Sequence, residues 1–390
     1  MSGTDGEIEA AHEDRAEIAK PVSVREAQFS DFDRVNILNR SLGQGPDSIE
    51  NWRRLWSDNP AVANGRGGGP IGWVLETSQG IVGFLGSIPL QYEFEGSILR
   101  AVATCRFAVE RAYRAFSHLL VVSFFRQKNT DLFLNTTATP TAGKIMTALK
   151  ASPLPQPDYH TVLFWVLEPR RFSKELLKKL GIRAPFDGPG STIASLGLRV
   201  DAAMRRRGPR MNPSNCSIQE IDIQAIGPDF ENLWRDYSRR TPGLFALRTP
   251  DAMRWHFDPP ANRRKVHAFA ASKGKELVGY MIVRHEGPGT EGLRRSLVAD
   301  LIVKGDDRQI LESLFAAALA SAKDFGCDVL EMMGFPARIR QTFLQWKPYS
   351  RRYPACPFFY KTRDRALHEK LAKEISWYAC PFDGDATLWP

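Results

Sequence analysis

The 390-residue chain has no apolar run approaching the roughly 20 residues that cross a bilayer. Its first residues are polar and acidic, without the basic stretch and apolar core of a secretory leader. No membrane span and a cytoplasmic location are therefore expected. Cysteine is sparse: Cys105, Cys216, Cys327, Cys356 and Cys380 form no C-x-x-C, and an odd number cannot be exhausted by disulfides. They read as reduced thiols. No Cys/His cluster has metal-ligand spacing, so no metal is expected. A G-x-S-x-G elbow and a P-loop lysine are both missing, which removes the common hydrolase and NTPase readings. No zinc-finger, RRM or KH pattern occurs, which makes nucleic acid an unlikely partner.

Apolar residues make up 43% of the chain, enough at this length for two cores. The net charge is +9, yet residues 1–20 hold six acidic and two basic residues, leaving +13 for the rest. That tail is poor in aromatic and branched residues and is expected to be disordered. Basic clusters at Arg205-Arg206-Arg207 with Arg210, at Arg263-Arg264-Lys265 and at Arg351-Arg352 can face an anionic partner or simply solvent. Asn64–Pro70 reads as a loop, and Ser152–Pro157 ends the helix before it because proline removes donors and biases its predecessor to extended geometry. Thr161–Leu167 reads as a strand and Phe172–Leu180 as a short amphipathic helix. The Gly/Pro/Arg-rich stretch from Gly181 to Pro213 reads as an inter-domain connection.

The stretch Leu99–Leu120 carries the most information. Leu99–Val109 is rich in β-formers, Glu110–Arg114 breaks that pattern, and a helical run follows from Phe116 to Phe125. A strand feeding a helix N-terminus gathers unpaired N–H groups and the positive end of the helix dipole at one spot, which suits a pyrophosphate. The order Val109-Glu110-Arg111-Ala112-Tyr113-Arg114-Ala115-Phe116-Ser117-His118-Leu119 resembles the coenzyme A signature V-D-P-x-Y-R-G-x-G-x-G of the GNAT superfamily of N-acyltransferases. Val109, Glu110, Tyr113 and Arg114 fit, Ala115 and Ser117 are small replacements for glycine, and Leu119 departs from the pattern.

Flanking segments follow the same order as that fold. Val22–Arg25 and a helix to Leu42 resemble its opening strand and helix. Ile71–Thr77 and Ile81–Leu90 form a hairpin, Asp131–Asn135 resembles the fifth strand, and Thr141–Leu149 the helix after it. A second copy is visible. Val278-Gly279-Tyr280 repeats Val82-Gly83-Phe84 196 residues on, Asp328–Glu331 repeats Asp131–Leu134 197 residues on, and strand-like Arg295–Val303 lies between. The fold expected is α/β (α+β): two tandem GNAT-like domains, each a mixed, mostly antiparallel sheet flanked by helices. The expected division is a tail at 1–20, a first domain at 21–180, a linker at 181–215 and a degenerate second domain at 216–390. After its central strand the second copy has Lys304–Arg308, whose Asp306 and Asp307 repel a pyrophosphate, followed by a long helix, Gln309–Phe325. This half resembles FemAB-type aminoacyl transferases and tandem GNAT proteins associated with exopolysaccharide synthesis. Trp377–Asp385, after a helix at Arg363–Glu374, resembles the W-Y-L-T-P-G-D-x-D ending of the latter group.

The resemblance implies acetyl-CoA or another acyl-CoA as co-substrate and an amine- or hydroxyl-bearing acceptor. It also implies backbone donors at Phe107, Ala108 and Val109, phosphate contacts at Arg114, Ala115, Phe116, Ser117, His118 and Leu119, and Asn135 at the end of the fifth strand. The usual base and acid are missing: between Glu95 and Glu110 the strand has no carboxylate, and Thr136–Lys150 has no tyrosine. Asp300, in an apolar strand of the second copy, is the candidate catalytic base, with a capped structural aspartate as the alternative. His118 is read either as a phosphate contact or as packed or exposed, and His256 as structural. Asp383 and Asp385 either bind sugar hydroxyls or cap a turn. The expected activity is acyl-CoA-dependent N-acyl transfer to an amino sugar or other amine. A FemAB-type transfer from charged tRNA and a non-catalytic glycan- or protein-binding role are the alternatives.

Overall fold

The structure, a computed structural model, describes residues 21–63, 69–181, 187–205, 207–209, 215–259, 265–288, 292–353 and 357–389. In chain order the elements begin with β1 (Ser23–Glu26), α1 (Phe32–Ser41), α2 (Ile49–Trp52), α3 (Pro60–Ala63), β2 (Gly72–Thr77), β3 (Gly80–Phe94) and β4 (Ser97–Val109). α4 (Ser117–Phe125), β5 (Leu132–Asn135), α5 (Pro140–Ala148), β6 (Ser152–Pro153), β7 (Thr161–Val166), α6 (Pro169–Lys179) and α7 (Asp187–Arg205) follow. The rest comprises β8 (Ser217–Ile221), α8 (Pro228–Arg240), β9 (Phe245–Ala246), α9 (Pro250–Phe257), β10 (Val266–Lys273), β11 (Glu276–Glu286) and β12 (Arg295–Val303). It closes with α10 (Arg308–Asp324), β13 (Val329–Met332), α11 (Ala337–Leu344), β14 (Tyr349–Arg352), β15 (Phe359–Lys361) and α12 (Arg365–Leu371).

Two mixed sheets flanked by helices result. One has the order β1-β2-β3-β4-β5-β15-β6, with β9 on β3, and the other β14-β7-β13-β12-β11-β10-β8. The repeat seen in the sequence is the repeat of the sheets. β3 and β11 begin 196 residues apart, and β5 and β13 begin 197 apart. In each half the central strand pairs antiparallel with its predecessor and parallel with its successor.

Chain order does not separate the sheets. β7 inserts between β13 and β14, and β15 between β5 and β6, so each half lends a strand to the other's sheet. One continuous apolar cluster accordingly runs from Tyr92 and Leu134 through Trp165 to Phe315 and Tyr378. The stretch read as the inter-domain connection contains the helix α7, and α12 ends at Leu371, before a short 3₁₀ turn at Glu374–Ser376. Other expected helices start and stop within a few residues of their predicted bounds. α5, for instance, is opened by Thr139, whose hydroxyl accepts the Ala142 N–H. Residues 1–20 and most of the expected loop 64–70 lie outside the described residues.

Candidate active site at the splayed strands

β4 and β5 pair only at Ala101–Leu132, Val102–Phe133 and Ala103–Leu134. β5 then ends at Asn135, which is buried, while β4 continues to Val109 with β3 on one side only. The strand is bulged there: Phe84 pairs with Ala108, but Gly86 pairs with Cys105. Arg106 sits at φ 50° within the bulge, a conformation costly for a residue with a side chain and a common way of re-aiming a strand beside a site.

Peptide groups point alternately to the two sides of a strand. Glu110 donates its N–H to Val82 O (2.9 Å), so Ala108 faces β3 as well, whereas Phe107 and Val109 face the open edge. The donor expected at Ala108 is thereby corrected: its amide is turned into the sheet. The carbonyl of Phe107 accepts from Gln44 Nε2 at 3.3 Å.

The turn after β4 also differs from expectation. Arg111–Phe116 is a 3₁₀ helix that runs directly into α4, so Tyr113 donates to Glu110 O and Ser117 to Arg114 O. The amides from Arg114 to Leu119 lie within these helical turns, and the orphan donors of the run are those at its start, Arg111 and Ala112. The α4 N-terminus has no side-chain cap, and Arg111, Arg114, Ala115 and His118 are exposed around it. His118 Nδ1 lies 2.9 Å from Ala115 O, and Ser117 Oγ donates to Arg114 O at 2.7 Å. Leu119, with Phe107, Val109, Tyr113 and Phe116, packs half-buried over the apolar cluster of Phe133, Ala138 and Ala142. Its side chain therefore does not stand over the turn.

The segment between α1 and α2 folds onto the bulge. Arg106 Nη1 donates to Gly45 O (3.3 Å), Asn36 holds the Asp47 backbone through two 3.1 Å bonds, and Gln44 N–H donates to Asn39 O (2.9 Å). Within this patch Asn39 Oδ1, Gln44 Oε1, Asp47 Oδ2 and Arg106 Nε are buried and have no partner. Gln44 cannot relieve this by turning over its amide, because its nitrogen must face the Phe107 carbonyl. Each such orphan costs about 1–3 kcal/mol, so three acceptors and one donor unpaired together call for an explanation. On the neighbouring strand, burial, followed by the nearby Asp385 carboxylate, pushes the Cys105 thiol well up.

The carboxyl-terminal segment closes the other side. Asp385 Oδ1 accepts from Thr136 (2.8 Å) and Thr137 (2.9 Å), directly after β5, and burial pushes its pKa up from the usual carboxylate value. Gly384 has φ 85°, and a Cβ there would overlap the Thr136 side chain. Asp383 Oδ2 accepts the Cys380 N–H (2.8 Å) and closes that turn. Arg54 donates to Trp255 O at 3.0 Å and to Leu388 O, and Arg106 lies 4.1 Å over the Trp389 ring. A cleft of about 770 Å³ between the halves has Phe382 and Gly384 in its floor, with Gln91, Glu231, Arg235 and Trp255 on its walls. His256, at its edge, is buried against Thr387 and Phe382, and burial holds it well below the usual imidazole range.

Asp300 lies away from any opening. Its side chain has no exposure; Arg248 grips both oxygens at 2.9 Å, and Tyr280 donates to Oδ2 at 2.8 Å. These donors occupy the lone pairs a base would use, so the geometry is that of a structural ion pair. Among the expected basic clusters, Arg207 pairs with Asp201 (2.7 Å) and Arg351 with Glu331 (3.1 Å), while Arg206, Arg210, Arg263 and Arg264 lie outside the described residues. No metal-ligand cluster occurs among the described residues. Asn39, Gln44, Asp47 and Arg106 were not signalled by any motif. Their only trace in the sequence is the helix-stopping Gly43, Gly45 and Pro46.

No protein-family model and no curated protein matches this chain. Solved structures do. A GCN5-related N-acetyltransferase from Anabaena variabilis aligns with TM-score 0.55 at 10% identity, covering 88% of this chain and 73% of its own. A second such protein, from Kribbella flavida, aligns with TM-score 0.53 at 11% identity, covering 88% and 72%. Saccharomyces cerevisiae N-myristoyltransferase with bound myristoyl-CoA aligns with TM-score 0.54 at 12% identity, covering 88% and 80%. The fold is thus that of the GCN5-related N-acetyltransferases, shared over 88% of the chain.

Proposed function

We propose that the protein is an acyl-CoA-dependent N-acyltransferase whose acceptor is a primary amine such as an amino sugar, with a place in polysaccharide synthesis as the setting. The observation that carries this reading is the patch of unpaired acceptor oxygens, Asn39 Oδ1, Gln44 Oε1 and Asp47 Oδ2, beside the open edge of β4. An amine supplies the N–H groups that these oxygens lack. The pantetheine arm lies along the uncovered edge, its phosphates are met by the Arg111 and Ala112 amides and the Arg111 and Arg114 side chains, and the thioester carbonyl is polarised by the amides of Phe107 and Val109. The amine nitrogen attacks the thioester carbon. A C–N bond forms, the C–S bond breaks, the pantetheine sulfur leaves as thiolate, and the amine proton passes to Asp47. Asp47 takes the role of base in place of Asp300, because its Oδ2 has no donor whereas both oxygens of Asp300 are occupied.

Acetyl-CoA should raise the melting temperature, since a ligand that binds only the folded state stabilises it. With acetyl-CoA and glucosamine, Asp47→Asn should lower turnover by about 10²-fold or more, the scale of general-base catalysis, with acetyl-CoA affinity by calorimetry unchanged. Turnover that survives the substitution removes Asp47 from the mechanism. Failure of acetyl-CoA to bind removes the proposal as a whole.

A further inference from the structure

α6 and α7 pack on each other as a hairpin beside the second sheet. α7 is turned the wrong way round for a surface helix. Its inward face carries Ser191, Ala194, Ser195, Leu198 and Ala202, with Ser195 only 3% exposed, and Leu198 and Ala202 line a cavity of about 120 Å³ together with Trp165 and Leu319. Its outward face carries Ile193, Leu196 and Val200, exposed by 74%, 63% and 45%. Their spacing of three and then four residues places them in one stripe. Leu176 on α6 and Leu180 at its C-terminal cap are also exposed. A solvent-facing helix normally buries its apolar residues and shows its polar ones, so a stripe that does the reverse is built to be covered.

The charge around the stripe identifies the cover. Arg170, Arg171, Lys174, Lys178, Lys179 and Arg199 are exposed on the same two helices. The described acidic groups there are engaged within the chain: Glu175 pairs with Lys178 at 2.7 Å, and Asp201 with Arg207 and Tyr349, each at 2.7 Å. Arg171 also reaches the buried Asp328 at 3.4 Å, so two of these cations are engaged in turn, and the exposed charge on the face stays net positive. A second copy of this face would set cation against cation. An anionic bilayer surface supplies both a negative charge for the lysines and arginines and an apolar layer for the branched side chains, the combination that holds interfacial amphipathic helices. We infer that the α6–α7 hairpin is a peripheral membrane-docking surface selective for anionic lipid. The inference does not rest on the acyltransferase reading.

Sedimentation of the full chain with vesicles tests it. Binding is expected to vesicles of phosphatidylcholine and phosphatidylserine in equal parts, weaker binding to phosphatidylcholine alone, and release by salt. The double variant Ile193→Ser with Leu196→Ser should lower the vesicle partition coefficient by about tenfold or more, given the apolar area withdrawn from the bilayer. Reversal of Lys174, Lys178 and Lys179 to Glu should lower it on the order of a hundredfold or more. These side chains are exposed, so an unchanged melting temperature shows that the fold is intact. Equal partition of wild type and both variants overturns the inference. So does a wild-type dimer, seen by analytical ultracentrifugation, that dissociates in the serine variant, because the stripe then belongs to a second copy.

Discussion

The two halves repeat one device, a central strand that parts from its parallel neighbour and runs into a helix, and they finish it in opposite ways. In the first half β4 is uncovered beyond Ala103 apart from the Gln44 contact, and α4 opens without a side-chain cap. In the second, β12 parts from β13 after Leu297 and Glu331, and the chain's own carboxyl-terminal segment fills the gap. Phe382 donates its N–H to Ala299 O (3.0 Å), the Tyr378 hydroxyl bonds Leu301 O, and Phe335 N–H bonds Ala379 O (2.7 Å). The helix start is occupied as well. Asp307 accepts from the amides of Gln309 and Ile310, and Asp306 from Tyr237 and Arg338. What stays available for a ligand in one half is consumed by tertiary structure in the other. Vacancy at the strand edge and at the helix start, more than the fold itself, separates a candidate site from a scaffold.

The largest effect is expected where the plug of the second half is anchored. Arg248 and Asp300 are wholly buried, and although burial opposes the Arg248 charge, Asp300 and its neighbours hold its pKa well above the usual value. Arg248→Met strands the Asp300 carboxylate, so a loss of about 3–5 kcal/mol is expected by urea unfolding. A loss below about 1 kcal/mol would mean that the plug does not depend on the pair.

The next effect is one of pH. Burial raises Asp383 from 3.8 to about 6, so the fold favours its neutral form. Its contribution to stability is complete below the unfolded value and is lost as pH rises through about 6, a span worth on the order of 2–3 kcal/mol. Asp383→Asn should flatten the unfolding free energy across that window. A slope unchanged by the substitution assigns it to another group.

The succession of elements along the chain, the repeat and the acidic start of α10 could be read from the sequence because each rests on local pattern: alternating apolar residues, short turns, and Asp306-Asp307 before a helical run. The exchange of β7 and β15 could not, because a strand's partners depend on contacts as distant as Phe359 with Asn135, and nothing in either segment encodes which sheet receives it. Asp300 stood out as a carboxylate in an apolar strand, which signals either a partner or a purpose. The partner, Arg248, lies 52 residues away. The bulge at Arg106 and the orphan oxygens of Asn39, Gln44 and Asp47 depend on where a connecting segment folds back, and a sequence holds no local record of that.

The smallest effect tests the contrast at the helix starts. Asp307 is the cap of α10, with Oδ1 at 2.8 Å from Gln309 N and 3.3 Å from Ile310 N, and replacing such a cap by alanine costs about 1 kcal/mol. Asp307→Ala should therefore lower stability by about that amount. It also returns two amides and the positive end of a helix dipole to solvent, which taken alone would favour a phosphate. No acyl-CoA affinity should appear in the second half, because Asp306 still holds its charge at the turn and Phe382 and Tyr378 still cover the edge of β12. Calorimetric titration of the variant with acetyl-CoA checks this directly. One binding event shared with the wild type is expected, and a second, new event would show that the cap alone separates the two halves.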